Sequence, residues 1–334
     1  MGFRATLWAM RLTNRLARGR SICGPQLQGN GPAIDRITHE PVDRTAYGLL
    51  WRLSPDTTGG QPAARCFHMH FGDGDLLTLM RSAALEAGAL ALAFFNAGVA
   101  TSARIDWKAG GSPVSEADYA VDVFLRERLG ALQPDAGWLS EETTDDSDRM
   151  SRERLFIVDP IDGTRAFIKG DPRWAISIAL VMQGRPHLAV LHLPALDETF
   201  TASAGGGARL NGAPISASAR SGLEGAAISG PPKILDNMAR GGLAFAPQPR
   251  VPSLAYRLAL VACGRIEAGI ASTNAWDWDI AAADLIVAEA GGILTDLADC
   301  KPAYNASLPR HGVLGAAPVH LHGALIKALR ETQN

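Results

Sequence analysis

The chain has 334 residues, 47% of them hydrophobic and 20% charged, with a net charge of −2. That is enough apolar material for one large or two ordinary domains with buried cores, and it supplies no basic field to hold a nucleic acid. Cys23, Cys66, Cys263 and Cys300 are scattered without a C-x-x-C pair, which argues against a zinc knuckle or disulfide framework and fits a reducing, cytoplasmic setting, while no apolar run approaches the roughly 20 residues of a membrane span.

Residues 1–72 read as an N-terminal extension. Arg4, Arg11, Arg15, Arg18 and Arg20 occur with no acid among them, and Gly, Pro and Gln dominate up to Pro32. The composition resembles that of a transit peptide; the favoured reading is an extension without a fold, translated from an upstream start, with Met69 as the natural beginning. Regular patterning starts near Asp73. Leu76, Leu79, Met80, Ala83, Ala87, Leu90 and Phe94 recur at three- and four-residue steps, predicting an amphipathic helix with Asp73 or Asp75 near its N-terminus. Ser115-Glu116-Ala117-Asp118 is a capping-box pattern that opens a second helix carrying Val121, Phe124, Leu125 and Leu129 on one face.

After the acidic loop Glu141 to Asp148, Leu155 to Val158 reads as a short buried strand ending at Asp159-Pro160. Ala175 to Met182 alternates, turns at Gly184 and runs back through Leu188, Val190 and Leu193, with Thr199 to Ala202 extending the meander. Gly205-Gly206-Gly207 and Asn211-Gly212 are turn chemistry and predict a seam between a 73–207 lobe and a 208–334 lobe. Beyond it, Leu254 to Ala262 is predicted helical, Ile266 to Ile270 a strand, Ile280 to Ala290 a helix ended by Gly291-Gly292, and Ile293 to Thr295 a strand. An α/β layered sandwich of two lobes accounts for this order better than a helical bundle or a β-sandwich.

The informative segment is Asp159-Pro160-Ile161-Asp162-Gly163-Thr164. Where a strand stops and a tight turn opens, Asp159, Asp162 and the Ile161 carbonyl can face one pocket, and hard divalent cations favour such oxygen ligands. Gly163 and Thr164 would then place backbone N–H groups at a helix start, a ready phosphate cradle. Taken singly, a D-x-x-D-G is more often a turn, Glu141 a surface acid, Asp279 a helix-start acid and Asp118 a capping residue. Ser140-Glu141-Glu142-Thr143 and Trp278-Asp279 supply further carboxylates, and it is the set that points to a metal.

The ordered run of Ser112 to Asp118, Ser140 to Thr143, Asp159 to Thr164, Trp278 to Ala283 and Glu289-Ala290-Gly291-Gly292 resembles the inositol monophosphatase superfamily from about Asp73 to the C-terminus. The resemblance implies a five-layered αβαβα sandwich, like that of fructose-1,6-bisphosphatase, with the active site between the lobes. It implies a Mg2+-dependent phosphomonoesterase in which water attacks a phosphate held by two or three metal ions. By position, Glu141, Asp159 and the Ile161 carbonyl would hold one ion, and Asp159, Asp162 and Asp279 a second. Asp118 and Thr164, with Glu141, would act in catalysis, Gly163 and Thr164 would contact the phosphate, and Glu142 would support them. Lithium inhibition is also implied. Such chemistry needs positioning and charge neutralisation, with no nucleophilic Ser or Cys.

Lys108 reads either as a basic residue near the substrate or as a solvated loop lysine, and Arg165 as facing the pocket or the solvent. His68-Met69-His70 and His320-Leu321-His322 read as surface histidines. Family members specific for inositol phosphates carry an acid seven positions before the W-D aspartate, where this chain has Ser272. With Lys233, Arg240, Arg250 and Arg257 in the second lobe as cations for a second phosphate, adenosine 3′,5′-bisphosphate is the expected substrate. Inositol phosphate and histidinol phosphate are the alternatives, as is a catalytically silent phosphate- or metal-binding protein. The partner is a small phosphorylated metabolite, and a homodimer is allowed.

Overall fold

The structure is a computed structural model that describes residues 71–108 and 110–332; the readings placed on residues 1–70 lie outside the described residues. Helix α1 (Asp73–Leu92) begins where the three- and four-residue periodicity begins, with Asp73 and Asp75 in its first turn, and buries Leu76, Met80, Ala83, Ala87 and Ala91. A hairpin of β1 (Ile105–Trp107) and β2 (Pro113–Ser115) leads into α2 (Glu116–Leu132).

The chain then builds a seven-stranded sheet in sequential order from β3 (Gly137–Ser140), β4 (Arg154–Asp162), β5 (Ala175–Met182), β6 (Arg185–Leu193), β7 (Glu198–Ser203), β8 (Gly207–Leu210) and β9 (Ala213–Pro214), with the short helix α3 (Thr164–Ile168) after β4. Only β3 and β4 pair in parallel. The turns at Gly205–Gly207 and Asn211–Gly212 lie inside this sheet: Asn211 and Gly212 both have positive φ, 49° and 82°, which a two-residue hairpin requires. The sheet therefore runs past residue 207 to Pro214.

Next come β10 (Ala227–Ser229), α4 (Pro232–Arg240), β11 (Ala246–Pro247), α5 (Leu254–Ala262), β12 (Ala268–Ala271), β13 (Ala275–Trp276), α6 (Asp277–Glu289), β14 (Gly292–Asp296), β15 (Arg310–His311), β16 (Leu314–Pro318) and α7 (Val319–Glu331). Five of these strands form a second, mixed sheet in the order β11-β10-β12-β16-β14, and β13 pairs with β15. Between Ser229 and Pro252 the chain forms α4, started by two prolines, Pro231 and Pro232, whose fixed φ suits a helix N-terminus.

Alternation along the strands explains the layers. In β4, Phe156 and Val158 pack with α1 and α2 residues such as Met80, Val121 and Leu125, while Leu155 and Ile157 face the other way, toward Leu258, Ile280 and Ile286 of α5 and α6. A strand buried on both faces reads as an unbroken apolar run. A third core, including Ile228, Met238, Ile270 and Leu325, closes α4 and α7 on the outer face of the second sheet. The result is an αβαβα sandwich. At roughly 1.5–3 kcal/mol per buried Leu, Ile or Phe, these layers rather than helix propensity hold the elements in place. No helix among the described residues is long and apolar enough to cross a membrane.

Candidate active site

The site forms where β4 ends against the start of α6. In a regular strand residues i and i+3 point to opposite faces. In β4 Asp159 pairs with Ser177 and Asp162 with Ala175, so three steps on one strand oppose two on its neighbour. This bulge, at a proline that has no N–H to give the ladder, turns both carboxylates to the same side. Ile161 N–H donates to Asp159 Oδ1 at 3.0 Å and fixes the bulge. Asp279 arrives from the first turn of α6, where Trp276 N–H donates to its Oδ2 at 2.7 Å.

Asp159, Asp162 and Asp279 thereby place one carboxylate oxygen each within 4.8 Å of one another. Asp159 and Asp162 are 1% and 5% exposed. Burial, and then the neighbouring acids, push the carboxyls of Asp159 and Asp279 well above the usual carboxylate range. Asp162 rises only to about 6, because hydrogen bonds partly offset its burial. Ser253 Oγ (2.6 Å) and Ala255 N–H (2.7 Å) donate to its Oδ2 and Leu254 N–H (3.2 Å) to its Oδ1. Asp162 thus caps the first turn of α5, leaving lone pairs on Oδ1.

Glu141 follows β3 directly and lies outside that trio. Lys108 Nζ donates to Glu141 Oε1 and to Glu142 Oε1, both at 2.8 Å, so Lys108 is a counter-ion of the acidic site and not a free loop lysine. Burial lifts the Glu142 carboxyl to about 7 despite that ammonium. On the other flank Thr164 Oγ1 lies 3.1 Å from Asp118 Oδ1 and 3.2 Å from the Ile161 carbonyl. Asp118 Oδ2 accepts from the Ser115 N–H (2.8 Å), as the capping box requires, and also from the Ser115 hydroxyl (2.6 Å). Burial raises the Asp118 carboxyl to about 6. Gly163 sits at φ 98°, open to glycine and strained for other residues, and turns the chain from β4 into α3.

Both arginines considered as substrate contacts are engaged by the chain itself. Arg257 is 7% exposed and donates to the carbonyls of Ile270 (2.9 Å) and Val251 (2.6 Å), so it braces α5 inside the core instead of offering a surface cation. Arg165 donates to Gly111 O at 3.0 Å and lies over the Trp107 ring at 5.9 Å, tying α3 to the β1–β2 turn. Lys233, Arg240, Arg250 and Ser272 are exposed. His322, read as a surface histidine, is buried with its Nε2 3.1 Å from Thr295 Oγ1. The indoles of Trp276 and Trp278, on either side of Asp277, stack with centroids 4.9 Å apart and planes 6° from parallel.

Ser253 and Asp122 belong to the site's support and carry no role in the sequence reading. For Ser253 the only local signal was an N-cap before an apolar run, its partner Asp162 being 91 residues away. For Asp122 the available signal was an acid on the buried face of an amphipathic helix, four residues after Asp118.

A layered α/β fold whose strand-end carboxylates gather beside a glycine-threonine turn defines a class, the metal-dependent phosphatases. The chain belongs to the inositol monophosphatase family, whose pattern matches residues 76–334. An inositol-1-monophosphatase of Mesorhizobium japonicum is 34% identical over 265 residues, covering 77% of this chain and 96% of its own. A histidinol-phosphatase of Chlorobaculum parvum is 34% identical over 229 residues, 66% of this chain and 85% of its own. Among solved structures, the extragenic suppressor protein suhB of Bartonella henselae superposes with a TM-score of 0.67 at 31% identity, over 77% of this chain and 98% of that one.

Proposed function

We propose that the protein hydrolyses small phosphate monoesters with Mg2+ bound by Asp159, Asp162, Asp279, Glu141 and the Ile161 carbonyl. The observation that carries this reading is the convergence of three largely buried carboxylates within 4.8 Å. Such a cluster repels itself unless a cation neutralises it, and its all-oxygen donor set suits a hard ion. Bound there, the metal would neutralise phosphate charge, polarise the attacking water and stabilise the leaving alkoxide.

The remaining steps belong to the chain's own groups. Thr164 Oγ1, held by Asp118, can accept a hydrogen bond from the attacking water and aim it. The Asp118 carboxyl, raised to about 6, is near the pH at which a carboxylate can take up a proton effectively. The Gly163 and Thr164 N–H groups are placed to contact phosphate oxygens, and Lys108 screens Glu141 and Glu142 while the anion approaches.

For the substrate, the names of the relatives support inositol phosphates or histidinol phosphate over adenosine 3′,5′-bisphosphate. The burial of Arg257 removes one of the cations expected to hold a second phosphate. Ser272 keeps histidinol phosphate in competition with the inositol phosphates. The test is phosphate release from the three esters in parallel at saturating MgCl2, with Asp159→Asn as control. Expected are turnover of a monophosphate, its loss in Asp159→Asn with the circular dichroism unchanged, and a fall in turnover with lithium before sodium. Parent-like turnover in Asp159→Asn would reject the metal assignment, and no turnover of any ester by the parent would favour the silent binding protein.

A further inference from the structure

We propose that Asp122 is a positioning residue for metal binding, acting on Glu141 through a two-hydroxyl clamp. This rests on the reading of Glu141 as a ligand. Asp122 lies on α2 one turn beyond Asp118, about 6 Å further along the axis on the same face. Each of its oxygens is engaged: Ser140 Oγ donates to Oδ1 at 2.5 Å and Thr143 Oγ1 to Oδ2 at 2.6 Å. The donors are the residues immediately before and after Glu141-Glu142, so one carboxylate grips both ends of the turn that presents the two acids.

Two further bonds complete the clamp. Glu142 N–H reaches Ser140 Oγ at 3.4 Å, and Trp138 Nε1 donates to Thr143 Oγ1 at 3.3 Å. Helix α2 then acts as a ruler with two carboxylates. Asp118 fixes Thr164 beyond the end of β4, and Asp122 fixes the Glu141 turn beyond the end of β3.

The placement is costly for packing alone. Val121, Leu125 and Leu129 make the buried face of α2 apolar, and Asp122 is only 6% exposed among them; a buried carboxylate is expensive where a leucine would serve. What the charge gives in return is two short charge-assisted bonds that hold a partly exposed acidic turn in one geometry, so that metal binding does not have to order it. Outer-shell groups of this kind typically alter metal affinity or activity by 10- to 100-fold when removed.

The experiment reads Mg2+ binding by the full-length protein directly, from the rise of its melting temperature with MgCl2, beside the Mg2+ concentration for half-maximal phosphate release. Asp122→Ala and Thr143→Val should each raise the Mg2+ needed by roughly tenfold or more, with kcat recovered at saturating Mg2+, while Thr143→Ser, which keeps the hydroxyl, stays near the parent. Thr143→Val preserves shape and volume, so it answers the question should Asp122→Ala fail to fold. Variants that lose metal-free stability yet need no more Mg2+ than the parent would overturn the proposal, since bracing alone predicts that pattern. Glu141→Gln separates the two readings: if it leaves Mg2+ binding unchanged, the ligand role of Glu141 falls and the clamp's function falls with it.

Discussion

Asp162 has two jobs that pull on the same carboxylate. As a proposed ligand it should be removable at the cost of activity alone, and the same holds for Asp159. The structure separates them. Asp162 also accepts from Ser253, Leu254 and Ala255, so its truncation leaves three donors at the start of α5 without their acceptor. Asp162→Ala should lose activity and also stability, by about 1–2 kcal/mol as for a lost helix cap, whereas Asp159→Asn should lose activity alone. Paired urea unfolding curves distinguish the two.

The raised carboxyls also set a pH dependence. Asp118 and Asp284 are pushed up to about 6 and Glu142 to about 7, in each case first by burial, against about 4 in an unfolded chain. The folded protein therefore binds more protons than the unfolded one between these values, and stability falls as pH rises through the window. In EDTA, the melting temperature should drop by roughly a few degrees from pH 5 to pH 8. A flat profile would mean that these acids are not buried as described.

Among the elements, the turn between β4 and α3 is the most exacting. Gly163 has φ 98°, and a Cβ there would lie 3.4 Å from both Arg173 O and Ser253 N. Gly163→Ala should cost about 1–2 kcal/mol from the left-handed backbone alone, and by shifting Thr164 away from Asp118 it should lower kcat more than it raises KM. Unchanged kinetics at reduced stability would detach the Thr164 geometry from turnover.

Elements long enough to show a period were legible before any coordinates. The 73–92 helix, the 175–182 strand and the 254–262 helix stand where their patterns place them. Strands of two or three residues, such as β9, β11, β13 and β15, are too short to carry a period, and no element was assigned to 319–331, where Val319 to Glu331 forms α7. Asp159, Asp162 and Asp279 stand out in the sequence only as a set, since each alone reads as an ordinary turn or helix-start acid, and the structure brings the three together. The bulge that aligns the first two, and the burial of Arg257, depend on partners far away in the chain.

At the scale of the whole molecule, the family pattern begins at residue 76 and the first residue of the proposed site is Lys108. A protein beginning at Met69 should keep full activity and its melting temperature. Loss of more than a small part of either would give residues 1–68 a share in the fold.

The stacked Trp276–Trp278 pair offers the experimenter something besides packing. Two indoles nearly parallel at 4.9 Å couple their excited states, and one of them belongs to Trp276, whose own backbone N–H holds the Asp279 carboxylate. Whatever loosens that first turn of α6 must disturb the coupling. A near-ultraviolet dichroism band from these two rings is thus an internal gauge, readable without label or substrate, of whether the third carboxylate of the cluster is in place.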